Sequence, residues 1–212
     1  MGPHKIDLSD YPRKEHFAHF MTMTQPFFTM TVKVDITGFL ERVRQEEAPF
    51  FLTFLYAVTR AANRIPEFRQ RIHEDGILEY DHCDPSFTVG LADGTYRYCL
   101  VHVDQPFDRY LEEAQRKQEE ALASEHLEEE EDPLGQLFIS SVPWIHYESL
   151  ETPWPDTRFS NPSITWGRYL EEGGRVTIPV TVMVHHALAD GLHVAAFYRN
   201  LEEELEQVPE HL

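Results

Sequence analysis

The chain has 212 residues, of which 42% are hydrophobic and 26% are charged, and its formal net charge at pH 7 is −19. This composition is typical of a globular protein that is long enough to bury a sizeable core. The negative charge argues against nucleic acid as a partner, because phosphate binding requires a basic face. The sequence has no run of about 18 apolar residues and no apolar signal core near its start, so we expect a cytoplasmic protein and no membrane partner.

The first part of the chain predicts one strand among three helices. Residues 13–21 have the pattern of a short helix. Residues 27–36 are rich in β-branched and aromatic side chains and predict a strand. Thr37 is placed to cap a helix over residues 38–47. Residues 49–64 are apolar on nearly all sides, which is typical of a buried helix.

The middle of the chain predicts two hairpins and a charged helix. Each hairpin consists of two strand-like segments around turn residues, namely residues 71–73 and 77–80 around 74–76, and residues 85–91 and 96–103 around 92–95. Residues 106–131 predict a charged helix whose acidic end forms a solvated face or mobile loop.

The last part of the chain predicts three strands and a closing helix. The strands are expected over residues 137–144, 163–169 and 176–185, with a Pro-rich loop over 151–162 and a helix over 195–206. The third strand is a nearly continuous apolar run, which fits burial on both faces. Because hairpins alternate with helices, we predict an α/β fold over residues 1–212, a single-domain sandwich of a mixed β-sheet covered by helices.

The densest group of reactive side chains lies directly after the apolar strand, at residues 184–194 (VHHALADGLHV). One interpretation is that its histidines are ordinary residues at a strand end. A second is a metal site, although His185 and His186 point to opposite faces of a strand and no zinc signature matches. A third is general-base catalysis, in which one histidine takes a proton and Asp190 holds the local structure.

The segment HHALADGLHV resembles the HHxxxDG signature of chloramphenicol acetyltransferases. Looser forms of this pattern occur in the acyltransferase domains of 2-oxoacid dehydrogenase complexes and in the condensation domains of peptide synthetases. Four further segments are similar to the first family, in its order and spacing: RKEHF at residues 13–17, VDIT at 34–37, DPSFTV at 84–89 and ISSVPW at 139–144. The sequence has no lipoyl domain or linker, which disfavours the dehydrogenase complexes.

The resemblance implies an acetyl-CoA-dependent O-acetyltransferase, a homotrimer with active sites at its subunit interfaces. It implies that His186 is the general base and that the acetyl group passes directly to a hydroxyl of chloramphenicol or a similar small molecule in a ternary complex, without a metal. Ser140 would donate a hydrogen bond to the oxyanion. Ser141 is the competing hydroxyl, although strand alternation points it away. Asp190 would pair with Arg13 and shape the site.

The resemblance also carries four residues into the substrate site: Phe20, Phe28, Tyr96 and Thr165. Thr165 would lie near the transition state and hold a water. Phe20 stands where members of the family often have Tyr, so one possible hydrogen bond to the acceptor is lost, and specificity can depend on one such bond.

This departure leaves two alternatives to chloramphenicol acetylation. The chain could be an O-acyltransferase for another alcohol, with no role in antibiotic resistance, or a non-catalytic binder of small molecules on the same fold. A binder would not need a base together with an oxyanion donor, which argues against it. For either enzyme, we expect arginines such as Arg168 or Arg175 to attract the phosphates of coenzyme A to an otherwise acidic chain.

Overall fold

Strands and helices alternate along the chain in the computed structural model, which describes residues 2–74, 76–127 and 132–207. The strands of these ranges are β1 (His4–Ile6), β2 (Phe27–Asp35), β3 (Gln70–His73), β4 (Gly76–Glu79), β5 (Asp84–Gly90), β6 (Tyr96–Leu100), β7 (Gln136–Val142), β8 (Ser163–Gly167), β9 (Leu170–Glu172) and β10 (Arg175–His185). Their α-helices are α1 (Lys14–Phe20), α2 (Thr37–Gln45), α3 (Phe50–Asn63), α4 (Phe107–Ala123) and α5 (Gly191–Gln207).

The main sheet has the strand order β2-β10-β8-β7-β5-β6, and β9 pairs with the beginning of β10. Strand β7 runs parallel to β5 and β8, whereas the other neighbours are antiparallel. The predicted mixed sheet with covering helices is thus confirmed.

Strand β10 lies inside this sheet and is buried along almost its whole length. The apolar run that predicts burial on both faces is therefore correctly interpreted. Pro179 cannot donate a hydrogen bond to a neighbouring strand. On one side of β10, the pairing with β9 ends at Thr177 and the pairing with β8 begins at Val180. Pro179 lies in the gap between these two pairings, where a hydrogen-bond donor is not needed.

Helices α2, α3, α4 and α5 cover one face of the main sheet. Val180, Val182 and Val184 of β10 lie on that face and belong to one core with the buried sides of α3 and α5. The hydroxyl of Tyr198 in α5 lies 2.8 Å from the carbonyl oxygen of Val180 and 3.0 Å from that of Met30. Helix α5 is therefore tied by polar contacts to both β10 and β2.

A smaller sheet has the order β1-β4-β3. The hairpin of β3 and β4 matches the prediction, although Asp75 of its expected turn lies outside the described residues. The sequence pattern did not indicate β1, because three residues are too few to show an alternation. Between the two sheets, the fully buried guanidinium of Arg71 donates hydrogen bonds to the carbonyl oxygens of Phe68, Gln70, Leu134 and Gln136 and to the sulfur of Cys83.

Two predicted helix boundaries were wrong. The charged helix ends at Ala123, where Ser124 turns into an extended conformation, and residues 128–131 of the expected acidic end lie outside the described residues. The closing helix begins earlier than expected, at Gly191.

The predicted cap of α2 was also wrong. Thr37 is the first residue of the helix, and the acceptor at this end is the carboxylate of Asp35, which binds both the amide and the hydroxyl of Thr37.

We expect Gly167→Ala to lower the free energy of unfolding by about 1–3 kcal/mol, the usual effect of overpacking. A Cβ at this position would lie 2.7 Å from the carbonyl oxygen of Ile145 and 2.9 Å from side-chain atoms of Tyr147 and Pro179. Urea unfolding measures the change. The matched control is Gly90→Ala in β5, where nothing lies within 4 Å of the added atom. Equal stabilities of the two variants would contradict this account of the β8 end.

Candidate active site

The main chain of His186 is anchored at the point where β10 ends. The amides of Leu188 and Ala189 both donate to the carbonyl oxygen of His185, which closes a turn directly after the strand. The amide of His186 donates to the carbonyl oxygen of Pro26 at 2.7 Å. The turn that carries His186 is therefore held on the sheet and on the segment before β2.

The imidazole of His186 is fixed mainly by aromatic rings. It stacks on Phe20 with a centroid distance of 4.0 Å and an interplanar angle of 13°, and Phe28 lies 5.3 Å away in a tilted arrangement. Its Nδ1 atom is buried and has no hydrogen-bond partner among the described residues. Of the two ring nitrogens, Nε2 is therefore the one that an incoming group can reach.

The expected ion pair between Arg13 and Asp190 is present. Nη1 of Arg13 lies 2.6 Å from Oδ2 of Asp190, and Nη2 donates to the carbonyl oxygen of His186 at 3.4 Å. The other oxygen of Asp190 accepts from the amide of Leu192 in the first turn of α5. Burial alone would raise the pKa of Asp190, but the Arg13 and Leu192 hydrogen bonds and the charge of Arg13 lower it to about 2.

His193 and Glu67 extend this network beyond the predicted residues. Nδ1 of His193 lies 3.0 Å from Oδ1 of Asp190 and accepts from the Asp190 amide, while Nε2 lies 3.5 Å from the carboxylate of Glu67. The hydrogen bond with Glu67 contributes most to a raised pKa of His193, against the effect of burial. Glu67 lies in a short 3₁₀ helix, Pro66–Arg69, and no local motif marks it in the sequence.

Ser140 and Thr165 lie next to each other on the face of the sheet opposite the helices. They are register partners in the parallel strands β7 and β8, whereas Ser141 pairs with Trp166, a core residue. Thr165 is only 2% exposed, and its hydroxyl has no hydrogen-bond partner among the described residues. Both threonine and serine side chains can bind a water or an oxyanion.

A cavity of about 760 Å³ opens on this face. Its lining combines aromatic rings with hydroxyl groups, including Tyr96, Tyr98, Phe138, Ser140, Thr152 and Phe159. Tyr96 is 44% exposed on β6, which is an edge strand. Phe20, Phe28 and His186 are not part of this lining. One chain thus brings the predicted residues together in two separate groups, one around His186 and one around Ser140.

The arginines that were expected to attract coenzyme A, the possible metal ligands and the apolar length of the helices are relevant to what the chain can bind. Arg175 forms an ion pair with Asp35 at 2.9 Å, so its charge is locally balanced, and Arg168 is exposed. In the ranges that the structure describes, no three His, Cys, Asp or Glu side chains are grouped as metal ligands. None of the described helices is both long and apolar enough to cross a bilayer.

Comparison with known proteins gives one family. The model of the family described as "Chloramphenicol acetyltransferase" matches residues 1–202. Chloramphenicol acetyltransferase 3 of Escherichia coli is 30% identical over 207 residues, which cover 94% of this chain and 95% of the relative. The chloramphenicol acetyltransferase of Clostridium perfringens is 29% identical over 205 residues, which cover 93% of this chain and 92% of the relative.

Solved structures agree with the sequence comparison. A chloramphenicol acetyltransferase has a TM-score of 0.82 at 28% identity and covers 96% of this chain and 99% of its own. The dihydrolipoamide acetyltransferase of Azotobacter vinelandii shares the fold alone, with a TM-score of 0.68 at 17% identity over 91% of this chain and 86% of its own. The chain therefore belongs to the chloramphenicol acetyltransferase family, a family of acetyl-CoA-dependent acetyltransferases.

Proposed function

We propose that this enzyme transfers the acetyl group of acetyl-CoA to a hydroxyl of chloramphenicol or a similar small molecule, with His186 as general base. The observation that most directly supports this proposal is the geometry of His186: its main chain is anchored, its ring stacks on Phe20, and its Nδ1 is buried, which leaves Nε2 as the nitrogen that an acceptor can reach. An alcohol is a poor nucleophile at neutral pH, and a neutral imidazole can remove its proton as it attacks.

The reaction is a direct transfer in a ternary complex. The alcohol oxygen attacks the thioester carbonyl while Nε2 of His186 takes the hydroxyl proton, which gives a tetrahedral oxyanion. The hydroxyl of Ser140 donates a hydrogen bond to that oxyanion, and Thr165 holds a water beside it. Collapse of the intermediate breaks the carbon–sulfur bond, and the departing thiolate of coenzyme A takes the proton back from the imidazolium.

Sheet geometry supports active sites that are shared between subunits, as in the homotrimer that the family resemblance implies. Ser140 pairs with Thr165, which pairs with Thr181 of β10, so two strand spacings of about 4.8 Å separate Ser140 from β10. Strand β10 continues for four residues from Thr181 to its end at His185, a further distance of about 13 Å, and His186 follows directly. Groups this far apart cannot act on one carbonyl, so His186 of one subunit serves the cavity of its neighbour.

Arg13 and Asp190 shape the site without taking part in proton transfer. Asp190 begins α5 by accepting from the Leu192 amide, and Arg13 connects its carboxylate to the carbonyl oxygen of His186. Loss of either partner leaves a poorly solvated charge next to the turn.

The environment of Phe20 also favours a second candidate, an acyltransferase for another alcohol. The ring of Phe20 covers the proposed base and carries no hydroxyl that an acceptor could use. Such an enzyme would use the same base and oxyanion donor, have no role in antibiotic resistance, and accept an alcohol with apolar groups near its hydroxyl. For both candidates, we propose that residues 1–212 make up one cytoplasmic acetyltransferase domain.

The test of the proposed function is thiol release from acetyl-CoA, measured with and without chloramphenicol, in the wild type and His186→Ala. We expect release that depends on chloramphenicol and a loss of kcat of at least about 10²–10⁴-fold in the variant, the usual contribution of a general base. His73→Ala, at an exposed histidine of β3, is the control. Release only with other alcohols would favour the second candidate, and equal turnover by His186→Ala would remove His186 as the base.

The two neighbouring serines of β7 give a matched test of the oxyanion donor. We expect Ser140→Ala to lower kcat by about 10²–10³-fold, because it removes a donor aimed at the oxyanion. Ser141 also borders the cavity, but it shares the register position of the core residue Trp166 on the other face of the sheet, so Ser141→Ala should stay within about twofold of the wild type. Steady-state kinetics with saturating acetyl-CoA measure both variants. A larger loss in Ser141→Ala would exchange their roles.

We expect Asp190 to make part of the stability depend on pH. Since its pKa is about 2 in the folded state and about 3.9 when unfolded, the unfolded chain binds more protons between these values. Its contribution is complete above about pH 4 and is lost as the pH falls towards 2. Urea unfolding should therefore show that the stability difference between the wild type and Asp190→Asn shrinks below pH 4. A difference that is constant with pH would contradict the ion-pair account.

A further inference from the structure

His185 is the last residue of β10, and both of its ring nitrogens are engaged. The side of the imidazole that carries Nε2 lies 3.0 Å from the carbonyl oxygen of Thr157, and Nδ1 accepts from the amide of Ala187 at 3.2 Å. A carbonyl oxygen can only accept and an amide can only donate, so Nε2 carries the proton and Nδ1 carries none. These contacts fit only the neutral Nε2–H tautomer.

Burial supports the same protonation state. His185 is 2% exposed, and burial lowers its pKa by more than the hydrogen bond to the Thr157 carbonyl raises it. With both nitrogens occupied and no access to solvent, His185 cannot serve as a second base. Its contacts instead connect two segments of the chain.

The first of these segments is the turn that carries the proposed base. Ala187 directly follows His186 and lies inside the turn that closes on the carbonyl oxygen of His185. The bond from the Ala187 amide to Nδ1 therefore fixes the peptide on the C-terminal side of His186, while the bond to Pro26 fixes the peptide on its N-terminal side.

The second segment is the wall of the cavity. Thr157 belongs to residues 143–162, which connect β7 to β8 without a helix or strand, and this segment supplies Thr152 and Phe159 to the cavity lining. Three contacts connect its middle to the sheet: the bond from His185 to Thr157, the packing of Trp154 on Phe27 with a centroid distance of 4.6 Å, and a longer contact of 3.9 Å from the Thr152 hydroxyl to the sulfur of Met183. At its beginning the segment is also tied to β10 by the Tyr147 hydroxyl, which lies 3.1 Å from the hydroxyl of Thr181, so the bond from His185 is the short polar contact that holds the middle of the wall on β10.

We propose that His185 is a positioning residue whose imidazole holds the turn of the base with one nitrogen and the wall of the acceptor cavity with the other. This inference rests on the proposed function of His186 and of the cavity. In the proposed trimer, the two ends of the link serve neighbouring active sites, because the base of one subunit acts on the cavity of the next.

Two substitutions separate the two bonds. His185→Asn places an amide near the position of Nδ1, so it can accept from Ala187 and cannot reach Thr157. His185→Gln places its amide near the position of Nε2, so it can donate to Thr157 and cannot accept from Ala187. The same two substitutions at His73, which is exposed in β3, serve as controls.

The expected result is a split between KM and kcat. Since loss of one hydrogen bond of about 1.4 kcal/mol corresponds to a tenfold change, we expect His185→Asn to raise KM for the acceptor about tenfold with kcat within about twofold. We expect His185→Gln to lower kcat about tenfold with KM for the acceptor within about twofold. Equal effects of both variants on both constants, or wild-type kinetics in either, would overturn the proposal.

Amide hydrogen exchange provides a readout that does not depend on turnover. His185→Asn should speed exchange within residues 143–162 only, and His185→Gln within residues 186–189 only. If the wild type acetylates no acceptor, the proposed function fails, but faster exchange confined to the expected segment of each variant still supports the connection through His185. If exchange is faster throughout both variants, the connection is refuted even in an active enzyme.

A third variant covers the case in which neither substitution folds. Trp154→Ala loosens the cavity wall without changing the hydrogen bonds of His185, and we expect it to raise KM for the acceptor with kcat preserved. A fall in kcat of the same size as the rise in KM would show that wall and base do not act separately, and would overturn the proposal.

Discussion

The burial of β10 on both faces is the constraint on which the rest of the structure depends. This strand pairs with β2 on one side and with β8 and β9 on the other, and its apolar side chains lie under α3 and α5. A strand held in this way cannot shift its register without exposing an entire row of valines. The turn that follows it therefore leaves the sheet at a fixed place, which is what a catalytic group requires of its scaffold.

The two faces of β10 have different uses. The face towards the helices carries Val180, Val182 and Val184 and supplies stability. The opposite face carries Thr181, whose hydroxyl contacts those of Thr31 and Tyr147. This polar row continues across the sheet towards the serine of β7. Polar side chains on a sheet face need partners, and residues 143–162 supply one of them through the hydroxyl of Tyr147.

Much of the fold was predictable because its signals are local. The apolar run of β10 and the all-round apolar surface of α3 each lie within one continuous segment, and the hairpin of β5 and β6 is marked by the turn residues between its strands. Strand β9 was missed because three residues carry no period, and the end of α4 because charged residues continue past Ala123 without a stop signal.

The residues of the site could be predicted only where a sequence motif contains them. Asp190 and Arg13 were expected to pair through a resemblance that spans most of the chain, since nothing local connects residues so far apart in sequence. Glu67 and the carbonyl oxygen of Thr157 were not expected, because one is an ordinary surface-type residue in a short helix and the other is a backbone atom that every residue has. Contacts of this kind exist only after the chain has folded.

The contacts of Asp190 bear on how the proposed base is oriented. In a catalytic triad, a carboxylate holds the second nitrogen of the histidine. Here Oδ2 of Asp190 binds Arg13, and Oδ1 lies 3.0 Å from both the Leu192 amide and His193, so neither oxygen is left for His186. Nδ1 of His186 is correspondingly without a partner among the described residues, and the ring rests on Phe20 instead. The orientation of His186 thus depends on packing and on the main-chain anchors of its turn, so the aromatic residues of α1 and β2 take the place that a carboxylate has in a triad.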